Sequence, residues 1–324
     1  MRKPSLGLAP IANAVFFVDN SRVQSVGGQQ VGTVLALKNP FGLGEILTIS
    51  PSVAEGLFEI EGRIEVPVSD HDTRLLIRGQ YTQSEVVEDP FDALDIESKA
   101  NEIGIAVAQP IYRAPGQDLT FTLGFDRRET KTYLLGGRFS FSEGVQNGKS
   151  VVSVFRGILE WVDRSQNQVI AVRSTTSLGV DVLGATDNSG STPDGEFFAW
   201  LGQAQVVRRL EPTDIQIIAR GEMQWTDDRL LPLEQYAVGG INTVRGYRED
   251  FNIGDKGWNL SVEGRLPILD LDLPFVPPES ADGRFDLRPF VDIGRAWNNK
   301  GPKNDTLASI GLGFGWLTGF SPVS

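Results

Sequence analysis

Hydrophobic and polar residues alternate with a period of two along most of this chain, and helical periodicity is scarce. In residues 118–128, Leu119, Phe121, Leu123 and Phe125 fall on one face, and Thr120, Thr122, Gly124 and Asp126 on the other. Ile103, Ile105 and Val107 likewise oppose Glu102, Gly104 and Ala106. Trp258, Leu260, Val262 and Leu266 oppose Asn259, Ser261, Glu263 and Arg265, and Ile310, Leu312, Phe314 and Trp316 oppose Ser309, Gly311, Gly313 and Gly315. The pattern predicts strands near 13–19, 29–38, 44–55, 56–67, 73–85, 98–110, 118–130, 151–162, 168–179, 196–209, 213–226, 257–267, 285–297 and 306–316. Many of these runs reach about ten residues or more, enough for a tilted strand to cross a membrane. A soluble sandwich also alternates, but with shorter strands.

The second face decides between those architectures. It carries Arg74, Arg78, Arg128, Arg156, Glu160, Arg173, Arg220, Glu222, Glu263, Arg265, Arg288 and Asp292. Charges of both signs suit a wet lumen. The links also alternate in length. Those around 39–43, 68–72, 111–117, 163–167 and 210–212 are short, and those at 86–97, 131–150, 180–195 and 227–256 are long. Short turns at one end and long loops at the other are the outer-membrane pattern. The link 268–284, with Pro274, Pro277 and Pro278, breaks it, and part of 131–150 is a candidate outer hairpin. Trp161, Trp200, Trp225, Trp258, Trp297 and Trp316 lie near strand ends, as interfacial aromatic girdles do. The expected fold is an all-β, transmembrane antiparallel β-barrel of about fourteen strands. It is read as one domain over 1–324, with the longest loop between the eleventh and twelfth strands.

Composition narrows the chemistry. The 324 residues carry a net charge of −12, which argues against a nucleic-acid partner. There is no cysteine, so disulfides, thiolate catalysis and cysteine-based zinc sites are excluded. The single histidine, His71, lies in Ser-Asp-His-Asp-Thr and reads as a turn residue. Without a serine–histidine arrangement no enzyme is expected, and neither is a metal or cofactor. No run of about eighteen apolar residues encodes a membrane helix, the normal state of a membrane β-barrel. Arg2, Lys3 and Ala12-Asn13-Ala14 faintly resemble a signal peptide, but Pro10 interrupts the core, and the segment reads as the lead into a first strand.

Three motifs stand out. Residues 232–250 read Pro-Leu-Glu-Gln-Tyr-Ala-Val-Gly-Gly-Ile-Asn-Thr-Val-Arg-Gly-Tyr-Arg-Glu-Asp, with Val244-Arg245-Gly246-Tyr247 inside them. Phe290-Val-Asp292-Ile-Gly294 precedes Arg295-Ala-Trp297, and Val18-Asp19-Asn20 and Gly27 precede Asn39-Pro40-Phe41-Gly42. In this order the motifs resemble the two-partner-secretion transporters: the TpsB or haemolysin secretion/activation proteins of the ShlB/FhaC/HecB type, within the superfamily that includes BamA. The resemblance spans nearly the whole chain.

That resemblance implies a sixteen-stranded outer-membrane barrel whose long outer loop folds back into the lumen. Carried over, Arg245 pairs with Asp292 on the wall, Gly246 lets the loop tip turn and Tyr247 packs its ring and keeps its hydroxyl paired. Alternation independently turns Val291 and Ile293 to lipid and Asp292 inward. The family's partner is an unfolded TpsA-like exoprotein, received from the periplasm by POTRA domains and passed through what is expected to be a monomeric pore. With fourteen strands counted and an end at Phe320-Ser-Pro-Val-Ser324, the chain reads as a barrel fragment lacking the POTRA domains and last strands. An assembly factor of the BamA or TamA type and a passive porin are the alternatives.

Overall fold

In a computed structural model of the protein, the described residues are 11–270, 283–300 and 304–316. Arg2, Lys3, Pro10, the prolines 274, 277 and 278, and the end at 320–324 lie outside them. The strands in the first half are β1 Ile11–Asp19, β2 Gln30–Lys38, β3 Ile46–Ala54, β4 Leu57–Pro67, β5 Arg74–Glu85, β6 Glu97–Ala114, β7 Gln117–Leu134 and β8 Gly137–Arg138. Then come β9 Lys149–Arg164, β10 Gln168–Gly179, β11 Phe198–Leu210, β12 Ile215–Trp225, β13 Tyr236–Val238, β14 Asn252–Gly254, β15 Lys256–Asp270, β16 Arg284–Trp297 and β17 Leu307–Trp316. Each stretch expected to be a strand is one. Apart from β8, which pairs with β7, and the β13–β14 pair, neighbours follow sequence order in one 15-stranded sheet. The pairings with a resolved register are antiparallel.

Two expectations need correction. The strand expected at 98–110 runs to Ala114, and the link expected at 111–117 shrinks to Pro115-Gly116. Pro110 would break a central ladder because it has no N–H. Here β5 begins at Arg74 opposite Ala108, so Pro110 lies beyond the end of β5 and costs that pairing nothing. Pro115 followed by Gly116 at φ +81° then makes the tight turn, since glycine tolerates positive φ. The hairpin foreseen within 131–150 is the pairing of Tyr133 with Arg138 across β7 and β8. His71 sits exposed in the turn before β5.

The chain divides into two compact units. The first comprises Met1–Pro110, Thr122–Arg156 and Gly179–Glu196, and the second Ile111–Phe121, Gly157–Leu178 and Phe197–Ser324. In the first unit one sheet face exposes Ile103, Ile105, Val107 and Leu123. The other is held by ion pairs. Arg78 meets Glu102 at 2.6 Å and Asp126 at 2.9 Å, and Arg156 meets Asp126 at 3.0 Å. Gly104 leaves the space that the Asp126 carboxylate fills. The loop after β10 folds back on β9, with Val151 donating to Thr186 and Val180 to the Ser153 carbonyl.

In the second unit the same alternation is sharper. Ile310 is 83 % exposed and Val291 52 %, while Asp292 is 0 % exposed and Asn259 is buried. An apolar face turned outward and polar groups turned inward invert a soluble protein. One buried apolar cluster of this unit comprises Tyr236, Val238, Val244, Ala296 and Leu307, with Leu201 and Tyr247 against it. Three of its five buried members belong to the β12–β15 connection, so that loop is packed and not merely tethered.

Candidate functional site

The connection from β12 to β15 begins with a short 3₁₀ turn at Pro232–Glu234, where proline occupies the first positions that need no N–H partner. β13 then pairs with β14, Tyr236 opposite Gly254 and Val238 opposite Asn252. Gly239 and Gly240 follow at φ +125° and +96°, a backbone that side chains rarely allow. The tip beyond them is stitched to itself. The Gly239 amide donates to the Thr243 hydroxyl at 2.8 Å, that hydroxyl donates to the Gly239 carbonyl at 2.9 Å, and the Ile241 amide donates to Glu249 at 2.7 Å. Gly246, at φ +89°, reverses the chain after Arg245.

This arrangement aims Arg245 at the polar face of β15 and β16. Its Nε donates to Asp292 Oδ2 at 2.7 Å and its Nη2 to Oδ1 at 2.8 Å, the parallel pair that matches a guanidinium edge to a carboxylate. The Arg245 amide donates to the same Oδ2 at 3.1 Å. Nη1 reaches Glu263 at 2.6 Å and Nη2 also reaches Ser261 Oγ at 3.2 Å. Ser261 in turn donates to Asp292 at 2.7 Å. The face of the guanidinium lies 3.6 Å from the Phe290 ring centroid, a cation–π contact. One arginine therefore meets two carboxylates, and Asp292 is wholly shielded from water. Taking away either partner of so buried a pair typically costs about 3–5 kcal/mol.

The strand motif Phe290-x-Asp292-x-Gly294 acquires a single physical sense. Its three residues share the inner face of β16. Phe290 is the platform, Asp292 the ion-pair partner, and Gly294 the gap. A Cβ on Gly294 would stand 2.9 Å from Val238 Cγ1 and 3.0 Å from Asn259 Cβ. Val244 is buried in the loop's apolar cluster. Tyr247 packs its ring at a tilt against Phe251, with centroids 5.7 Å apart, and its hydroxyl donates to the Ala308 carbonyl on β17 at 3.2 Å. Each of the seven residues singled out from sequence thus lies at this one contact.

Sequence reasoning did not single out five other contributors. Glu263 and Ser261 complete the Arg245 shell. Tyr236 and Asn259 meet through their side chains beneath the loop stem. Asp255 closes the loop base, accepting from the Leu230 amide at 2.9 Å and the Asn299 amide at 2.8 Å. Alternation had put Asn259, Ser261 and Glu263 on the polar face, but it cannot say which polar residue a loop reaches.

The chain is similar to known proteins in both sequence and fold. The family model for the haemolysin secretion/activation protein ShlB/FhaC/HecB matches residues 10–316. The chain is 26 % identical over 290 residues to the outer membrane transporter CdiB of Escherichia coli, covering 83 % of this chain and 46 % of that protein. It spans about half the length of the curated relatives it matches. The solved structure of CdiB from Escherichia coli aligns with a TM-score of 0.75 at 20 % identity, covering 96 % of this chain and 57 % of that one. BamA from Haemophilus ducreyi lacking POTRA domains 1-3 aligns with a TM-score of 0.63 at 13 % identity, over 95 % of this chain and 64 % of that one. The fold is thus the antiparallel β-barrel fold that CdiB and BamA share. Its exposed apolar face is the lipid face, and its place is the outer membrane. The chain belongs to the haemolysin secretion/activation protein family, ShlB/FhaC/HecB.

Proposed function

We propose that the protein passes an unfolded exoprotein partner, of haemolysin or adhesin type, from the periplasm through its barrel to the cell surface. The observation that carries this reading is the docked loop: Arg245 on Asp292 and Glu263, with the loop's apolar side packed on the wall. A passive pore has no use for a loop held so specifically. The buried pair biases the loop strongly toward one position, so the loop either occludes the passage at rest or shapes the surface along which the chain moves. Charged residues of both signs on the inner wall are largely paired with one another. Such a wall wets the passage without gripping a passing polypeptide of either charge. The protein works as a monomeric conduit, uses no cofactor and catalyses no covalent step. Folding of the partner outside the cell supplies the direction.

The test is secretion. The full-length protein is expressed with its exoprotein partner, and the partner is quantified in the medium for wild type, Arg245→Ala and Arg245→Lys. Arg245→Ala is expected to reduce secretion at least about tenfold. Arg245→Lys should fall between, because an ammonium cannot make the forked contact. Normal secretion by an assembled Arg245→Ala barrel sinks the reading. The fold shared with BamA supports a second reading, assembly of other barrels. Depleting the protein separates the two: a conduit leaves only its own partner behind in the cell, whereas an assembly factor lowers many outer-membrane proteins.

A further inference from the structure

Tyr236 is buried in the loop stem, at 7 % exposure. Its ring sits where β15 has a glycine. A Cβ on Gly257 would stand 2.1 Å from the Tyr236 ring. Its hydroxyl accepts from Asn259 Nδ2 at 2.5 Å and donates to Glu222 Oε2 on β12 at 3.5 Å. Glu222 is itself held by Gln203 Nε2 on β11, at 3.0 Å. A buried phenol with a socket for its ring and partners for its oxygen is fixed in both position and orientation.

These partners are not those of the tip. Tyr236 engages Glu222, Gly257 and Asn259. Arg245 engages Ser261, Glu263, Phe290 and Asp292. No polar partner is shared, although Tyr236 and Val238 of the stem and Val244 of the tip belong to one apolar cluster. Between them in the chain stand Gly239 and Gly240, both at positive φ, next to a tip held together by Thr243 and Glu249. The loop therefore has a stem anchored at Tyr236 and a tip that holds its own shape, joined by two buried glycines.

We infer that Tyr236 is a positioning residue that latches the loop stem to β12 and β15 independently of Arg245. Undocking Arg245 then releases only the tip, which pivots at Gly239-Gly240 while the stem stays on the wall. This rests on the reading that loop docking governs transport. It deepens that reading by splitting the loop into a movable gate and a static mount.

The chain lacks cysteine, so single thiols can report on each part. Val244 in the tip and Val238 in the stem are both fully buried. Val244→Cys and Val238→Cys are placed separately in the full-length protein in outer-membrane vesicles, and the rate of labelling by a soluble maleimide is measured. Arg245→Ala is expected to speed labelling at position 244 at least about tenfold and to leave position 238 within about twofold. Adding Tyr236→Ala should then speed position 238 by a similar factor. Tyr236→Phe, which keeps the ring and loses both hydrogen bonds, should give an intermediate rate. Asn259→Ala provides the same comparison if Tyr236→Ala fails to assemble, with heat-modifiable migration of the folded barrel as the control. If Arg245→Ala alone exposes both positions, the stem has no latch of its own. If position 238 stays protected without the Tyr236 side chain or its hydrogen bonds, the latch is not Tyr236. Labelling needs no exoprotein, so these outcomes stand apart from failure of the secretion reading.

Discussion

The guanidinium of Arg245 meets Asp292 along one edge, Glu263 at its remaining nitrogen and the Phe290 ring on its flat face. A lysine there keeps the charge and loses the fork and the stacking. In the first unit another carboxylate organises a turn. Glu45 closes the turn between β2 and β3, its side chain accepting the amides of Phe41 and, at 2.8 Å, Leu43, while Asn39 accepts from Gly44 at 2.7 Å. Burial opposes ionisation of Glu45, but the amides of Phe41, Glu45 and Leu43 outweigh it and hold the carboxyl below its ordinary value of 4.5. A pKa depressed by folding stabilises the folded state fully above the ordinary value, and that contribution is lost as pH falls through the folded one. The difference in thermal midpoint between wild type and Glu45→Gln should therefore be largest near neutral pH, begin to narrow below about pH 4.5 and vanish only as pH falls through the lower folded value. A gap independent of pH would show that the charge of Glu45 contributes nothing. The sequence shows Asn39-Pro40-Phe41-Gly42 as a motif, yet only the folded turn shows that the residue closing it is Glu45.

At the scale of elements, β16 is the docking strip, and its glycine is the most sensitive point. Gly294→Val would set a Cβ 2.9 Å from Val238 Cγ1, 3.0 Å from Asn259 Cβ and 3.1 Å from the Trp258 carbonyl oxygen, with two methyl groups still to place, and none of these neighbours is the end of a long flexible chain. Overpacking of this kind typically costs about 1–3 kcal/mol. Because the strand keeps its pairs with β15 and β17, the expected result is an assembled barrel with a displaced loop. Limited proteolysis would detect this as new cleavage at the exposed Arg248, absent in wild type. Strand positions were legible from sequence because alternation is a local property, each residue declaring its own face. Strand ends were less so. The strand expected to end at 110 runs on to Ala114, because what Pro110 does to the ladder depends on where the neighbouring β5 begins.

The whole molecule is governed by its solvent, apolar outside and wet within. Val262, in the middle of β15 between Ala219 and Val291, faces lipid. Val262→Arg should cost about 2–4 kcal/mol if it lies near the bilayer midplane. Gln205→Arg, on the polar face of β11, should cost far less. Urea titration of folding in lipid vesicles measures both, and equal losses would contradict this assignment of faces. Sequence by itself determined that this is a strand-built chain with two unlike faces, because a period of two fixes which side chains share a side. It also placed Arg245 in a loop and turned Asp292 inward. Only the tertiary structure decided how those residues meet. The ion pair joins positions 47 residues apart, and its shell depends on Ser261 standing opposite Asp292 and Glu263 opposite Phe290. That register is a property of paired strands, set by every rung of the ladder together, and no single stretch of sequence contains it.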